Sequence, residues 1–376
     1  MRPEVLIVAT EASADLHASR VLEELRRANP ELRAFGMGGP RLRAAGLDAL
    51  HRAEDMSVMG IAEVIPAIPR ILGILRSLAA AAAERRPRVA LLVDSPDFNL
   101  RLAKRLKKAG IPVVYYVSPT VWAWRRGRVK TIRKFVDRML CILPFEEPFY
   151  ADTGVSARFV GHPFAERPQP LDPASYRGAL GLEPARTTVA LVPGSRHGEI
   201  ERILPEMLDA AERIRSRHPD VQFVVPLAPT IRRDDVSEHL ARHATLQVKL
   251  VDGRAEEAVG ASDAALVKSG TSTLEAALMA RPMVVVYRLS WLSWIVGRAL
   301  VKLAHVALVN LLAGRRLVPE LLQRDATGER MADEIERLLA DPAARDEQIA
   351  GLRSVRASLG TPGAAGRVAE EIARYL

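Results

Sequence analysis

Short apolar, β-rich runs recur along this chain with helical patterns between them, and that alternation constrains its fold more than any other feature. Val5–Ala9, Val89–Val93, Val113–Val117, Met139–Leu143, Val189–Val192, Phe223–Pro226, Ala264–Val267 and Met283–Val286 read as short buried strands. Segments such as Ala18–Ala28, Leu100–Ala109 and Leu204–Arg217 carry helical spacing between them. Strands of this kind separated by helices pair in parallel through right-handed crossovers. The expected fold class is α/β, with two Rossmann-like domains facing each other across a cleft.

At 376 residues the chain is longer than one hydrophobic core ordinarily serves, which supports two domains. The break is placed at Gly161–Pro173, where four prolines suppress regular structure. Residues 1–165 then form an N-terminal domain, 166–345 a second domain, and 346–376 a C-terminal helical segment. A single cysteine, Cys141, excludes an intramolecular disulfide framework or a cysteine zinc cluster and fits a reducing cytosol. The run Met1–Thr10 is too short in apolar residues for a signal peptide and reads as a first strand. No stretch reaches the roughly 18 uncharged apolar residues of a spanning helix. The richest ones, near 64–83 and 291–313, contain Arg or Lys, so a cytoplasmic chain, soluble or peripheral to a membrane, is expected.

Charge is concentrated in one place. Between Arg101 and Arg138 there are twelve Lys or Arg against one acid, Asp137, a local net of +11 where the whole chain carries +9. Trp122, Trp124, Arg125 and Arg126 lie inside that segment. Basic residues interleaved with aromatics can hold nucleic acid, yet no zinc finger, RNP-type motif or helix-turn-helix accompanies them, and no nucleic-acid partner is expected. An anionic membrane surface is the better match. Ile61, Val64, Ile65, Ile68, Ile71, Leu72 and Leu75 fall on one helical face, suited either to a core or to a membrane interface, with Pro66 and Pro69 expected to divide the helix in two. The run Trp291–Lys302 has similar character and reads as core or dimer interface.

Candidate chemistry sits at strand ends, where open α/β sheets bind ligands. Asp94 and Asp97 follow Val89–Val93; Asp97 is placed to cap the next helix, and Asp94 is the better candidate base. Glu11, in Thr10-Glu-Ala-Ser-Ala-Asp15, follows the first strand, and Ser13 there can serve equally as a helix cap. In the second half, Pro193-Gly-Ser-Arg196 and Lys268-Ser-Gly-Thr-Ser-Thr-Leu-Glu275 each link a strand to a helix with small residues and free N–H groups. Either loop alone is a turn with a cap; two in one domain point to a nucleotide diphosphate. Gly194, Ser195, Arg196, Ser269, Gly270 and Thr271 are the candidate phosphate-binding residues, and Glu275, one turn on, can accept from ribose hydroxyls. No HExxH, paired cysteines or DxD motif appears, so neither a metal nor a cofactor is expected.

Those segments, in order, resemble the lipid-A-disaccharide synthases, bacterial inverting glycosyltransferases of GT-B architecture. The resemblance rests on Glu-Ala-Ser-x-Asp at 11–15, Val-Met-Gly-Ile at 58–61, Asp-Ser-Pro-Asp-Phe-Asn at 94–99 and Tyr-Val-Ser-Pro-Thr-Val-Trp-Ala-Trp at 116–124. It continues through Leu-Pro-Phe-Glu at 143–146, Gly-His-Pro at 161–163, Pro-Gly-Ser-Arg at 193–196, Ser-Gly-Thr-x-x-Leu-Glu at 269–275 and Asn-Leu-Leu-Ala-Gly at 310–314. The chain departs from the family at Thr10 and Ala14, where glycine is usual, which matters if the loop there needs positive φ.

The resemblance implies transfer of a sugar from UDP-2,3-diacylglucosamine to the 6-hydroxyl of 2,3-diacylglucosamine 1-phosphate, giving a β(1→6) disaccharide 1-phosphate and UDP. It implies Asp94 as general base, Glu11 as a second important acid, Arg196 near the leaving diphosphate, and Asn310 among the nucleotide-binding residues. It also implies work at the cytoplasmic surface of the inner membrane and a homodimer formed by exchange of C-terminal segments. Rival readings are a UDP-sugar epimerase or another GT-B UDP-sugar transferase, and a noncatalytic binder of anionic lipid or RNA.

Overall fold

The computed structural model describes residues 3–56, 61–290, 294 and 304–376, with side chains left out at 61–65 and 271. Two compact units are present, one formed by Met1–Glu166 with Leu359–Leu376, the other by Arg167–Ser358.

In the first unit seven strands run parallel: β1 (Glu4–Ala9), β2 (Arg33–Gly38), β3 (Asp48–Arg52), β4 (Val89–Val93), β5 (Val113–Tyr116), β6 (Arg138–Cys141) and β7 (Ala157–Phe159). Their spatial order is β3-β2-β1-β4-β5-β6-β7, so the winding reverses between β1 and β4. Alternate residues along each strand enter different cores. Leu6, Val8, Leu92 and Tyr115 belong to one; Val5, Ile7, Leu91 and Tyr116 belong to the other. Both faces being covered explains why these strands read as unbroken apolar runs.

The second unit repeats the plan with six strands: β8 (Thr188–Val192), β9 (Gln222–Leu227), β10 (Val248–Asp252), β11 (Ala264–Lys268), β12 (Met283–Tyr287) and β13 (Glu320–Leu322). The order β10-β9-β8-β11-β12-β13 reverses between β8 and β11. All eight strands expected from sequence are present. The other five, β2, β3, β7, β10 and β13, are glycine-rich, polar or short, and four of them lie at sheet edges.

Helix α1 (Ala12–Ala28) follows β1, and α2 (Pro40–Ala44) follows β2. Helix α3 (Ile61–Arg85) is continuous, which corrects the expected break at Pro66 and Pro69. Both prolines are on the exposed side, where water can satisfy the carbonyls they leave unpaired, and the fixed proline φ is already helical. Within α3 the stretch Pro66–Arg85 is long and apolar enough to cross a membrane by length and composition, and about 28% of it is buried. Helix α4 (Pro96–Lys108) follows β4. The Trp291–Lys302 run lies outside the described residues apart from Trp294.

The chain returns to the first unit at its end, where the helix Ala364–Ala373 packs Val368, Ala369 and Ile372 against Val21, Leu22 and Leu25 of α1. Its Glu371 is 1% exposed and sits among three arginines: Arg138 of β6 at 2.7 Å, Arg374 at 3.2 Å, and Arg158 of β7. One carboxylate thus ties the last helix to two strands from the middle of the sequence. Removing it by Glu371→Ala leaves guanidinium groups crowded without their counter-charge. Because those arginines are partly wet, the loss is expected at the low end for a broken buried pair, about 3 kcal/mol in urea unfolding. An unchanged midpoint would show that apolar packing alone docks the helix.

Candidate functional site

In the first unit the site forms where β1 and β4 end side by side at the reversal point. Asp94 and Ser95 follow β4 with φ of 54° and 43°, two consecutive non-glycine residues in the left-handed region. Pro96 disfavours the right-handed helical conformation for the residue before it, and Ser95 takes the left-handed one instead. The turn is held from below. Asn99 Nδ2 donates to the carbonyls of Val93 (3.0 Å) and Asp94 (2.8 Å), the buried Tyr115 hydroxyl also donates to the Asp94 carbonyl, and Ser95 N–H donates to Asp94 Oδ1 at 2.7 Å. Asp94 therefore has its main chain clamped while its carboxylate stays half-exposed.

Glu11 approaches from the end of β1. Its carboxyl meets those of Asp94 and the Ser95 side chain, and its pKa is raised, chiefly by desolvation and next by the Asp94 charge. The Thr10 and Ser95 hydroxyls are hydrogen-bonded to each other, which joins the two strand ends directly. Neither Thr10 nor Ala14 has positive φ, so glycine is not required at either place; Ala14 is buried in α1. Asp15 has a separate duty: its carboxylate accepts from the N–H groups of Gly39, Arg41 and Leu42 at 2.7, 3.0 and 3.1 Å, capping α2. The helix-cap alternative for Ser13 does not hold, since Glu11 occupies the cap position of α1 and no side chain caps it.

One further residue here was not expected from sequence. His17, one turn into α1, lies edge-on to Tyr116 at 6.1 Å. Burial and Arg20 lower its pKa to about 4 against the pull of Asp94, so its ring is neutral, and among the described residues nothing pairs with its Nδ1. Asp97 does not cap α4, contrary to expectation. Ser95 holds the cap position, and the exposed Asp97 carboxylate pairs with Arg128 and, at 3.4 Å, with Arg125.

In the second unit the loops after β8 and β11 meet at the other reversal point. Gly194, Ser195, Arg196, Ser269 and Gly270 line one cavity of about 420 Å³ with Glu199, Lys268, Ser272, Tyr287 and Val306. Gly194 has φ 122°, and a β-carbon there would fall 2.3 Å from Glu199 Oε2, so only glycine fits. Gly270, φ 153°, opens the helix Thr271–Leu278. Glu275 and Asn310 lie elsewhere. Glu275 is 3.4 Å from Arg167, its pKa raised mainly by burial. Asn310 is buried, donating to Val318 O (2.9 Å) and Glu320 (2.7 Å) and accepting from Leu317 and Val318 N–H, so its amide holds the chain entering β13.

The basic aromatic segment lies on the first unit. Trp122 turns inward against Phe145, ring centroids 4.9 Å apart, and its Nε1 donates to Glu146 at 3.2 Å. Trp124 carries Arg125 over its ring at 4.3 Å, with Arg125 and Arg126 exposed. On α3 Ile68 is 45% exposed, Ile71 and Leu72 are half-buried, and Leu75 belongs to the core; the side chains of Ile61, Val64 and Ile65 lie outside the described residues.

A family model described as "Lipid-A-disaccharide synthetase" matches residues 5–364. The chain is 73% identical over 369 residues to the lipid-A-disaccharide synthase of Anaeromyxobacter dehalogenans (strain 2CP-C), covering 98% of this chain and 96% of that protein. Among solved structures it is similar to the UDP-GlcNAc 2-epimerase from Neisseria meningitidis bound to UDP-GlcNAc, with TM-score 0.64, 12% identity, and 99% and 100% of the two chains covered. It is also similar to the glycotransferase of kitacinnamycin, with TM-score 0.62, 18% identity, and 100% and 99% covered. At those identities the structural likeness establishes the fold: two parallel-sheet α/β domains of the GT-B kind.

Glu146 offers a pH test of the aromatic segment. It is 1% exposed, and burial raises its pKa to about 7 despite hydrogen bonds from Leu143 N–H and Trp122. The folded chain thus holds this proton more tightly than the unfolded chain does, and stability from it is lost as pH rises from about 4.5 through about 7. Glu146→Gln keeps an acceptor without the charge. Its thermal stability relative to wild type is expected to improve between about pH 5 and about pH 8, by up to about 3 kcal/mol. Parallel melting curves across that range would show that Glu146 does not titrate there.

Proposed function

Because the chain belongs to the lipid-A-disaccharide synthetase family and is a glycosyltransferase forming the lipid A disaccharide, we propose the following division of labour between its two sites. The donor is UDP-2,3-diacylglucosamine, with its diphosphate at the Gly194–Arg196 and Ser269–Gly270 loops. The acceptor is 2,3-diacylglucosamine 1-phosphate, with its 6-hydroxyl at Asp94. Asp94 takes the hydroxyl proton as the oxygen attacks the anomeric carbon; the new carbon–oxygen bond forms on the face opposite the breaking bond to UDP. UDP leaves carrying the electron pair of that bond, stabilised by loop N–H groups and the Arg196 guanidinium.

The observation that carries this reading is the meeting of Asp94 and Glu11 at the carboxyl ends of β1 and β4. Burial and the Asp94 charge both raise the Glu11 pKa, so the two carboxyls sit at one site in unlike environments. Both sugars carry acyl chains, which accounts for an exposed Ile68 on the same unit as Trp124, Arg125 and Arg126. We place that unit against the cytoplasmic surface of the inner membrane.

Purified protein incubated with both lipid substrates is expected to yield the tetraacyl disaccharide phosphate by mass spectrometry. Asp94→Asn is expected to lower turnover by about 10² to 10⁴-fold while UDP affinity holds. Turnover near the wild-type value would remove Asp94 from the chemistry. Replacing Arg125 and Arg126 together by alanine is expected to weaken sedimentation with phosphatidylglycerol vesicles by about tenfold or more at low salt. Equal partitioning of variant and wild type would detach this surface from membrane binding.

A further inference from the structure

Within the cavity of the second unit one carboxylate collects the donors that a phosphate would use. Glu199 Oε2 accepts the Ser195 N–H at 3.0 Å, and Glu199 Oε1 lies 2.8 Å from Lys268 Nζ and 3.7 Å from Arg196 Nη1. The side chains of Glu199 and Lys268 are only 15% and 16% exposed, whereas that of Arg196 is 83% exposed. Gly194 lacks a side chain where Glu199 presses on the loop, so the carboxylate lies in the concave face of the turn itself. Lys268 spans both loops: its Nζ lies 3.4 Å from where a β-carbon on Gly270 would be and 5.8 Å from the Tyr287 ring centre.

We propose that Glu199 is an internal occupant of the diphosphate seat, and that nucleotide binding moves Lys268 and the Ser195 N–H from Glu199 to the diphosphate. This rests on reading the cavity as the sugar-nucleotide site. A diphosphate outcompetes the carboxylate because it brings more negative charge and more acceptor oxygens to the same donors. The apparent affinity is then reduced by the fraction of molecules in which Glu199 holds the seat. Lys268, rather than the far more exposed Arg196, becomes the cation that binds the diphosphate away from water.

The test is calorimetry of UDP and of uridine with wild type, Lys268→Met, Glu199→Gln and the double variant, each first checked by thermal melt. The double variant removes both charges at once, so no buried charge is left unpaired if a single variant folds poorly. Lys268→Met is expected to weaken UDP by about tenfold or more and to leave uridine unchanged. Glu199→Gln is expected to tighten UDP about threefold to tenfold, again without effect on uridine. In the double variant UDP is expected to bind more weakly than in Glu199→Gln. UDP affinity unchanged by Lys268→Met, or unchanged or weakened by Glu199→Gln, overturns the proposal. If wild type itself fails to bind UDP, the sugar-nucleotide reading falls with it; if wild type binds and Lys268→Met binds equally, only this inference falls.

Discussion

Strands that all run one way put every turn into a helix on the same rim of the sheet, and the rest of this structure follows from that constraint. A right-handed crossover returns each helix to one face, so two faces are covered only if the winding reverses once. The reversal splays two neighbouring loops apart and leaves a crevice between them. Here it happens twice, between β1 and β4 and between β8 and β11. At the first, the loops carry Glu11 and Asp94; at the second, Gly194–Arg196 and Lys268–Gly270. The chemistry differs because the loop residues differ, while the positions are set by topology.

Rigid strand ends also let the first unit hold an unfavourable turn. Asp94 and Ser95 in the left-handed region cost on the order of 1–3 kcal/mol each, and Val117, β-branched with φ 68°, adds strain at the end of β5. Such a turn persists only when its surroundings over-determine it. Tyr115 and Asn99, both buried, supply that by donating to the main chain around Asp94. The two hold the backbone and make no bond to the carboxylate, which stays half-exposed.

What was legible in the sequence was whatever depends on burial of continuous apolar runs or on small residues at strand ends. The central strands and the two small-residue loops after β8 and β11 belong to that class. Edge strands did not show, because β3 and β10 have one neighbour each and carry polar residues, and Gly36 and Gly38 dilute β2. Asp97 looked like a cap because caps are usually polar residues just before a helix, but Pro96 sets the first helical position and shifts the cap to Ser95. Lys268 opens one of the two loop motifs and Glu199 lies three residues beyond the other, yet their pairing joins residues far apart in sequence through the fold alone. His17 had no local signal, since its environment is made by Tyr116 and Arg20 after folding.

The same architecture serves an epimerase and a transferase at 12% and 18% identity, so the fold cannot separate those chemistries. A transfer to a sugar hydroxyl has a demand that rearrangement of a single bound sugar nucleotide lacks: a second substrate must lose a proton outside the nucleotide site. Asp94 is paired with Glu11, whose carboxyl resists ionisation because burial and the Asp94 charge raise its pKa. Thr10 and Ser95 tie the two loops that carry the pair at their base. Under the proposed reading that second substrate meets Asp94 at the strand junction of the first unit, while the loops proposed for the nucleotide belong to the second unit.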